Sequence, residues 1–217
     1  MDIHKFTYRR TEAPKERPDL IFATPLLNRR LVIATPEFLA RVKAFVLDLM
    51  PRDKGVKHSN VGAWHSSGDL FETTDDTMTQ LGGSLLGAVA EMSYFLIRDS
   101  HPDCTIEVAF HGAWANVSRH ADFNKPHIHP GTMLSGVFYV DLGDRDTEPD
   151  DNGAIEFMDP RPAYLNAATR VLRPNPGQVV IFPSWLSHYV NPFRGRGERI
   201  SIAFNANTKI AAPGKAE

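Results

Sequence analysis

The sequence predicts a mainly β protein, a jelly-roll core with N-terminal helices packed on one face. Three observations carry this expectation. From Cys104 onward, short segments rich in β-branched and aromatic residues are separated by Gly, Pro, Asp and Asn. Ahead of them lie two stretches with apolar residues at helical spacing. A length of 217 residues, with 42% hydrophobic and 23% charged, suits a single globular domain with a substantial core.

The first helix is signalled by Thr35-Pro36-Glu37: a capping hydroxyl, a proline at the first helical position and an acid in the first turn. Phe38, Val42, Phe45, Val46 and Leu49 follow at helical spacing, and Pro51 stops the helix. A second helix is expected from Thr73 or Thr74, with Asp75 and Asp76 in its first turn. It runs through Leu81, Leu85, Leu86, Val89, Met92 and Leu96 toward Arg98. Gly82, Gly83 and Gly87 weaken its propensity, which close packing against a sheet would explain. The segment HSNVGAWHSSGDLF between the helices reads as a loop or short extended stretch.

Candidate strands are 105–120, 131–141, 153–158, 168–173, 178–182, 187–191 and 199–208, spaced as a sandwich or closed barrel requires. The acidic stretch from Asp144 to Gly153 reads as a solvated hairpin loop rather than a metal site. The expected organisation is one domain over 1–217, with a helical and loop part over about 1–100 and the β-core over about 104–208.

Composition excludes several function classes. With 24 basic and 26 acidic residues and no long single-sign run, neither a nucleic-acid nor a membrane surface is expected. No apolar run approaches the roughly 20 residues that cross a bilayer. Cys104 is the single cysteine and cannot form an internal disulfide, and the first residues lack the apolar stretch of a secretory signal. A cytoplasmic location fits these features.

Chemistry concentrates in two segments. In KPHIHPGTMLSGVFYV, His127 and His129 are two apart, so an extended chain turns both imidazoles to one face. Imidazole suits iron, zinc, copper and nickel, so the pair alone does not name a metal. In GQVVIFPSWLSHYVNPFRGRGERISIAFN, His188 opens a late strand, 61 residues after His127. In a double-stranded β-helix that separation brings the late strand beside the early His-x-His strand. Arg199 and Ser201 share one face of a further strand, where a planar guanidinium and a hydroxyl suit a carboxylate.

These motifs resemble the iron(II)/2-oxoglutarate-dependent oxygenase superfamily, and more narrowly a family of small 2OG-Fe(II) oxygenases with an HxH…H…RxS pattern. The matching residues are Trp114 and Asn116 in AWANV, HIHPG, Ser135 to Tyr139, Phe157 and Asp159-Pro160-Arg161 in IEFMDPR, Gly177, FPSWLSH and Arg199 through Asn205. A weaker match lies at GAWHSSGDL. The resemblance implies a double-stranded β-helix, cupin-like in architecture, with iron(II) on His127, His129 and His188. It further implies 2-oxoglutarate as co-substrate, its far carboxylate on Arg199, with Ser201, Tyr139 and Asn116 as further contacts. The superfamily's usual ligand set is two histidines and one carboxylate, whereas His129 stands where the acid would be. Asp122 is a nearby carboxylate that would substitute if His129 turned away.

Two other readings remain open at this stage: a cupin-like three-histidine metalloenzyme that uses no 2-oxo acid, and a non-catalytic metal-binding barrel. A small molecule or a peptide is the expected substrate, and the apolar face of the second helix could serve a homodimer as well as a core. Trp64, His65, Trp114 and Trp185 could line the substrate mouth, but they read better as ordinary core aromatics. His58, His65, His111 and His120 have no spacing that identifies a second site.

Overall fold

A computed structural model describes residues 23–67, 70–101, 104–144, 151–161 and 168–211. Its elements run β1 (Leu27–Arg30), α1 (Pro36–Leu49), β2 (Asn60–Val61), β3 (Trp64–His65), α2 (Asp76–Ile97), β4 (Thr105–Ser118) and β5 (Phe123–His127). They continue with β6 (Leu134–Asp144), β7 (Ile155–Met158), β8 (Thr169–Leu172), β9 (Gln178–Pro183), β10 (His188–Val190) and β11 (Arg196–Ala211). Two antiparallel sheets result, a six-stranded one ordered β1-β9-β6-β11-β4-β3 and a five-stranded one ordered β2-β5-β10-β7-β8. This is the jelly-roll arrangement the sequence predicts.

Both helices begin where capping chemistry puts them. Thr35 accepts a hydrogen bond from the Phe38 N–H at 3.2 Å, with Pro36 opening α1. The cap of α2 is Asp75 rather than a threonine, its carboxylate accepting from the Met78 N–H at 3.0 Å. The close-packing account of the α2 glycines holds for Gly82 alone, where a Cβ would lie 3.3 Å from Phe71; Gly83 and Gly87 face open space. Among the described residues, no helix is long and apolar enough to cross a membrane.

Alternation gives the six-stranded sheet two unlike faces. Its outer face, with Ala113, Ala115, Val117, Phe138, Ile200, Ile202 and Phe204, packs with Phe38, Val42 and Val46 of α1 and Leu81, Leu85 and Val89 of α2 in one buried cluster. The apolar stripe of α2 packs on the core from Met78 to Met92, while Tyr94, Phe95 and Leu96 near its C-terminal end are exposed. A second cluster of Tyr139, Leu142, Ile155, Phe157, Val180, Phe182 and Leu186 joins the two sheets.

A β-bulge sets what the inner face presents. Asn205 pairs with Gly112 and Ala206 with Phe110, leaving His111 as the extra residue on β4. Before the bulge, even-numbered Val108 and Phe110 face the core; after it, odd-numbered Ala113, Ala115 and Val117 do. Trp114 and Asn116 are thereby turned inward. The segment between the helices also bridges the sheets, since β2 pairs with β5 and β3 pairs with β4. The acidic stretch after Asp144 falls largely on residues 145–150, outside the described residues.

Candidate metal centre and co-substrate pocket

His127 ends β5 and His188 begins β10, and the two are direct partners in the antiparallel register. Their ring centroids are 4.3 Å apart. His129 lies two residues beyond β5, where its N–H donates to the Ser184 carbonyl at 2.9 Å. The chain then turns at Pro130-Gly131, with Gly131 at φ +85, and the Thr132 hydroxyl donates to the His129 carbonyl at 3.2 Å. The His129 ring comes within 5.0 Å of His127 and 5.2 Å of His188.

One ligand nitrogen from each ring lies within 4.8 Å of the others, a group able to hold one ion. Tautomers favour this use. His127 Nδ1 is 2.7 Å from the Lys125 carbonyl and His188 Nδ1 is 2.9 Å from the Leu186 carbonyl. A carbonyl only accepts, so both Nδ1 atoms carry the proton and both Nε2 atoms carry the lone pair, that of His127 with the Ser59 hydroxyl 3.5 Å away; this is the support usual around metal-bound imidazoles. Burial pushes His188 down to about 3 and His129 to about 4, and neighbouring imidazoles add to both shifts. Burial lowers His127 as well. All three are neutral at pH 7, the form a metal binds. Three neutral nitrogens suit iron(II), although not iron(II) alone.

Asp122 is not part of this group. Its carboxylate accepts from the Arg119 N–H at 2.7 Å in a tight turn. His120 is exposed and outside the cavity.

A cavity of about 530 Å³ is lined by the three histidines together with Asn116, Tyr139, Arg199 and Ser201. Such a volume accommodates a small organic ligand. Ser201 pairs with Asn116 on one side and Tyr139 on the other, so the three side chains form a row across β4, β11 and β6. Arg199, two residues along β11 and 3% exposed, sits with its guanidinium carbon 5.5 Å from the Tyr139 ring centroid. Gly153 makes room for it: at φ +60, a Cβ there would lie 3.2 Å from Arg199 Cδ.

All seven residues singled out in the sequence are thus brought into one cavity. Several others that line it were not anticipated, namely His58, Ser59, His111, Ser135 and Asn205. Three expected core aromatics are corrected here. His65 and Trp114 line the cavity, stacked at 5.2 Å with planes 10° apart, because the β4 bulge and the β3–β4 pairing turn them inward. Trp185 is 52% exposed, on the loop between β9 and β10, and Trp64 does pack on the core. The GAWHSS segment was the sequence signal for His65, but its pairing with β4 is a long-range contact that spacing alone does not give.

In this jelly roll, clustered imidazoles able to hold one metal ion face a buried arginine across the same cavity. Residues 112–205 match the family model described as "Putative 2OG-Fe(II) oxygenase". Among solved structures, the fold is similar to a prolyl-4-hydroxylase from Pseudomonas putida, with 13% identity and TM-score 0.56 over 85% of this chain and 93% of that one. It is also similar to the α-ketoglutarate-dependent epimerase SnoN of nogalamycin biosynthesis, with 13% identity and TM-score 0.62 over 89% and 83%. HygX from Streptomyces hygroscopicus, with nickel and 2-oxoglutarate bound, gives 12% identity and TM-score 0.57 over 85% and 83%. No curated protein matches the chain in sequence.

Proposed function

We propose that this protein is a hydroxylase-type oxygenase that uses iron(II) and 2-oxoglutarate to oxidise a small molecule or a peptide. The observation that most supports this is the pairing of His127 with His188 across β5 and β10, each with its Nδ1 proton on a backbone carbonyl and Nε2 as the acceptor nitrogen, in the same cavity as buried Arg199. Iron(II) with a 2-oxo acid supplies oxygen activation coupled to decarboxylation of 2-oxoglutarate to succinate.

The chain's own residues supply geometry. His127, His129 and His188 hold the iron. Arg199 takes the far carboxylate of 2-oxoglutarate, assisted by the Ser201 and Tyr139 hydroxyls and the Asn116 amide. Phe157 and Phe182 pack around His188, with Phe182 at 4.6 Å, and keep that side of the centre dry. No side-chain base is required. Oxygen-dependent succinate release with iron(II) and 2-oxoglutarate tests the proposal, and failure of 2-oxoglutarate to bind the iron-loaded protein sinks it.

One observation keeps a second reading in view: among the described residues, no carboxylate belongs to the ligand-capable group. A cupin-like three-histidine enzyme that chelates its substrate directly would share that feature. Arg199→Ala separates the two, since it abolishes 2-oxo acid use in the first and leaves activity unchanged in the second.

A further inference from the structure

We propose that His65 recognises the primary substrate, its Nε2 accepting a hydrogen bond from a hydroxyl or N–H group that the substrate carries. This rests on the reading of the site as a 2-oxoglutarate oxygenase. His65 pairs with Asn116, Asn116 with Ser201 and Ser201 with Tyr139, so one polar row crosses β3, β4, β11 and β6 on the cavity side. His65 is the end of that row away from Tyr139. Its ring stacks on Trp114, and Trp114 in turn lies 5.8 Å from His129, so a flat aromatic wall leads from His65 to the histidine cluster.

The direction of the hydrogen bond is fixed by the backbone. His65 Nδ1 lies 2.7 Å from the Ser66 carbonyl, which only accepts, so Nδ1 carries the proton and Nε2 is an acceptor. Burial lowers the ring's basicity and keeps it neutral. Among the described residues, Nε2 has no hydrogen-bond partner, although the residue is only 7% exposed. Ionised 2-oxoglutarate carries two carboxylates and a ketone, all acceptors, and has nothing to donate. Ionised 2-oxoglutarate cannot satisfy an acceptor lining this cavity, whereas a donor-bearing substrate can.

The segment that carries the ring is also held in place, as a specificity contact requires. The Val56 N–H donates to the His65 carbonyl at 2.9 Å, and the Ser66 N–H donates to the Ala115 carbonyl at 2.9 Å. Ser66 Oγ accepts from the Ala115 N–H at 2.9 Å. The Asp53 carboxylate accepts from the Gly55 and Ser67 N–H groups, both at 2.8 Å, and the Asp53 carbonyl accepts from the Trp64 indole at 2.9 Å.

Two substitutions divide the ring's roles. His65→Asn keeps a donor near Nδ1 for the Ser66 carbonyl but removes the far acceptor; His65→Gln places a carbonyl oxygen near the Nε2 position. The test measures ligand proton relaxation by Mn(II) bound to the 2-oxoglutarate-loaded protein under argon. Probes come in matched pairs: cyclohexanol and methoxycyclohexane, benzyl alcohol and benzyl methyl ether, N-methylacetamide and N,N-dimethylacetamide. The expected result is preference for the donor-bearing member of at least one pair by about five- to tenfold, the effect of one buried hydrogen bond. His65→Asn erases the preference, His65→Gln retains it, and both variants bind 2-oxoglutarate within about twofold of the parent. Equal binding of the methylated probes, binding of no probe, an unchanged preference in His65→Asn, or a tenfold loss of 2-oxoglutarate affinity in that variant overturns the proposal. Failure of the parent protein to bind 2-oxoglutarate is a different result, because it removes the functional reading on which this one rests.

Discussion

His127 and His188 face each other across two antiparallel strands with ring centroids 4.3 Å apart, and each donates its Nδ1 proton to a carbonyl two residues earlier in its own chain. The same local device therefore orients both rings before any ion arrives. Such preorganisation predicts that His127→Ala and His188→Ala each lower Fe(II) affinity by more than the roughly 10–100-fold lost when only a supporting contact is removed. Metal titration under anaerobic conditions checks this, and retention of stoichiometric metal by His188→Ala would contradict it.

Arg199 is not within the ligand group, so its replacement separates co-substrate binding from metal binding. Truncating one member of a buried charge pair costs about 2–5 kcal/mol, hence Arg199→Ala raises the Kd for 2-oxoglutarate by about 30-fold or more. Arg199→Lys recovers only part of it, because an ammonium cannot grip a carboxylate with two parallel hydrogen bonds. Calorimetry on the manganese-loaded protein measures both, with metal affinity expected to stay unchanged.

Glycine at 153 sits at φ +60 against Arg199 and Phe193. Gly153→Ala forces a side chain into left-handed backbone and toward the arginine, so it is expected to destabilise the fold by about 1–3 kcal/mol. It also weakens 2-oxoglutarate binding through Arg199. Urea unfolding and calorimetry on the same variant read the two effects.

The metal-free protein loses stability in acid through its histidines. His129 and His188 have folded-state values of about 4 and about 3, below their ordinary 6.5, so the unfolded chain takes up protons first as pH falls. The stability they contribute is complete above pH 6.5 and is lost progressively toward pH 4 and 3. Urea midpoints measured in the presence of a chelator between pH 7.5 and 4.5 should fall steadily; a flat profile would show that the rings are not buried together.

Helix starts and most strands were legible in the sequence because their causes are local. Thr35-Pro36-Glu37 is its own capping signal, and the runs around Ala115, Val179 and Ile202 alternate or are apolar at strand length. The three histidines and Arg199 were also legible, since the order and spacing of several motifs constrain one another. Two things were not. The bulge at His111 is a one-residue offset between β4 and β11, visible only once the strands are paired, and it decides that Trp114 and Asn116 face the cavity. β3 is two residues long, too short for any periodicity, and its place beside β4 is what brings His65 to the site.

The central claim is that one metal ion and one 2-oxoglutarate share the cavity between the two sheets. An anaerobic crystal structure of the protein with Fe(II) and 2-oxoglutarate tests it most directly. The account predicts the ion on the Nε2 atoms of His127 and His188 and on His129, with the far carboxylate of 2-oxoglutarate on Arg199. An ion held by Asp122 in place of His129, or 2-oxoglutarate bound away from Arg199, would contradict it.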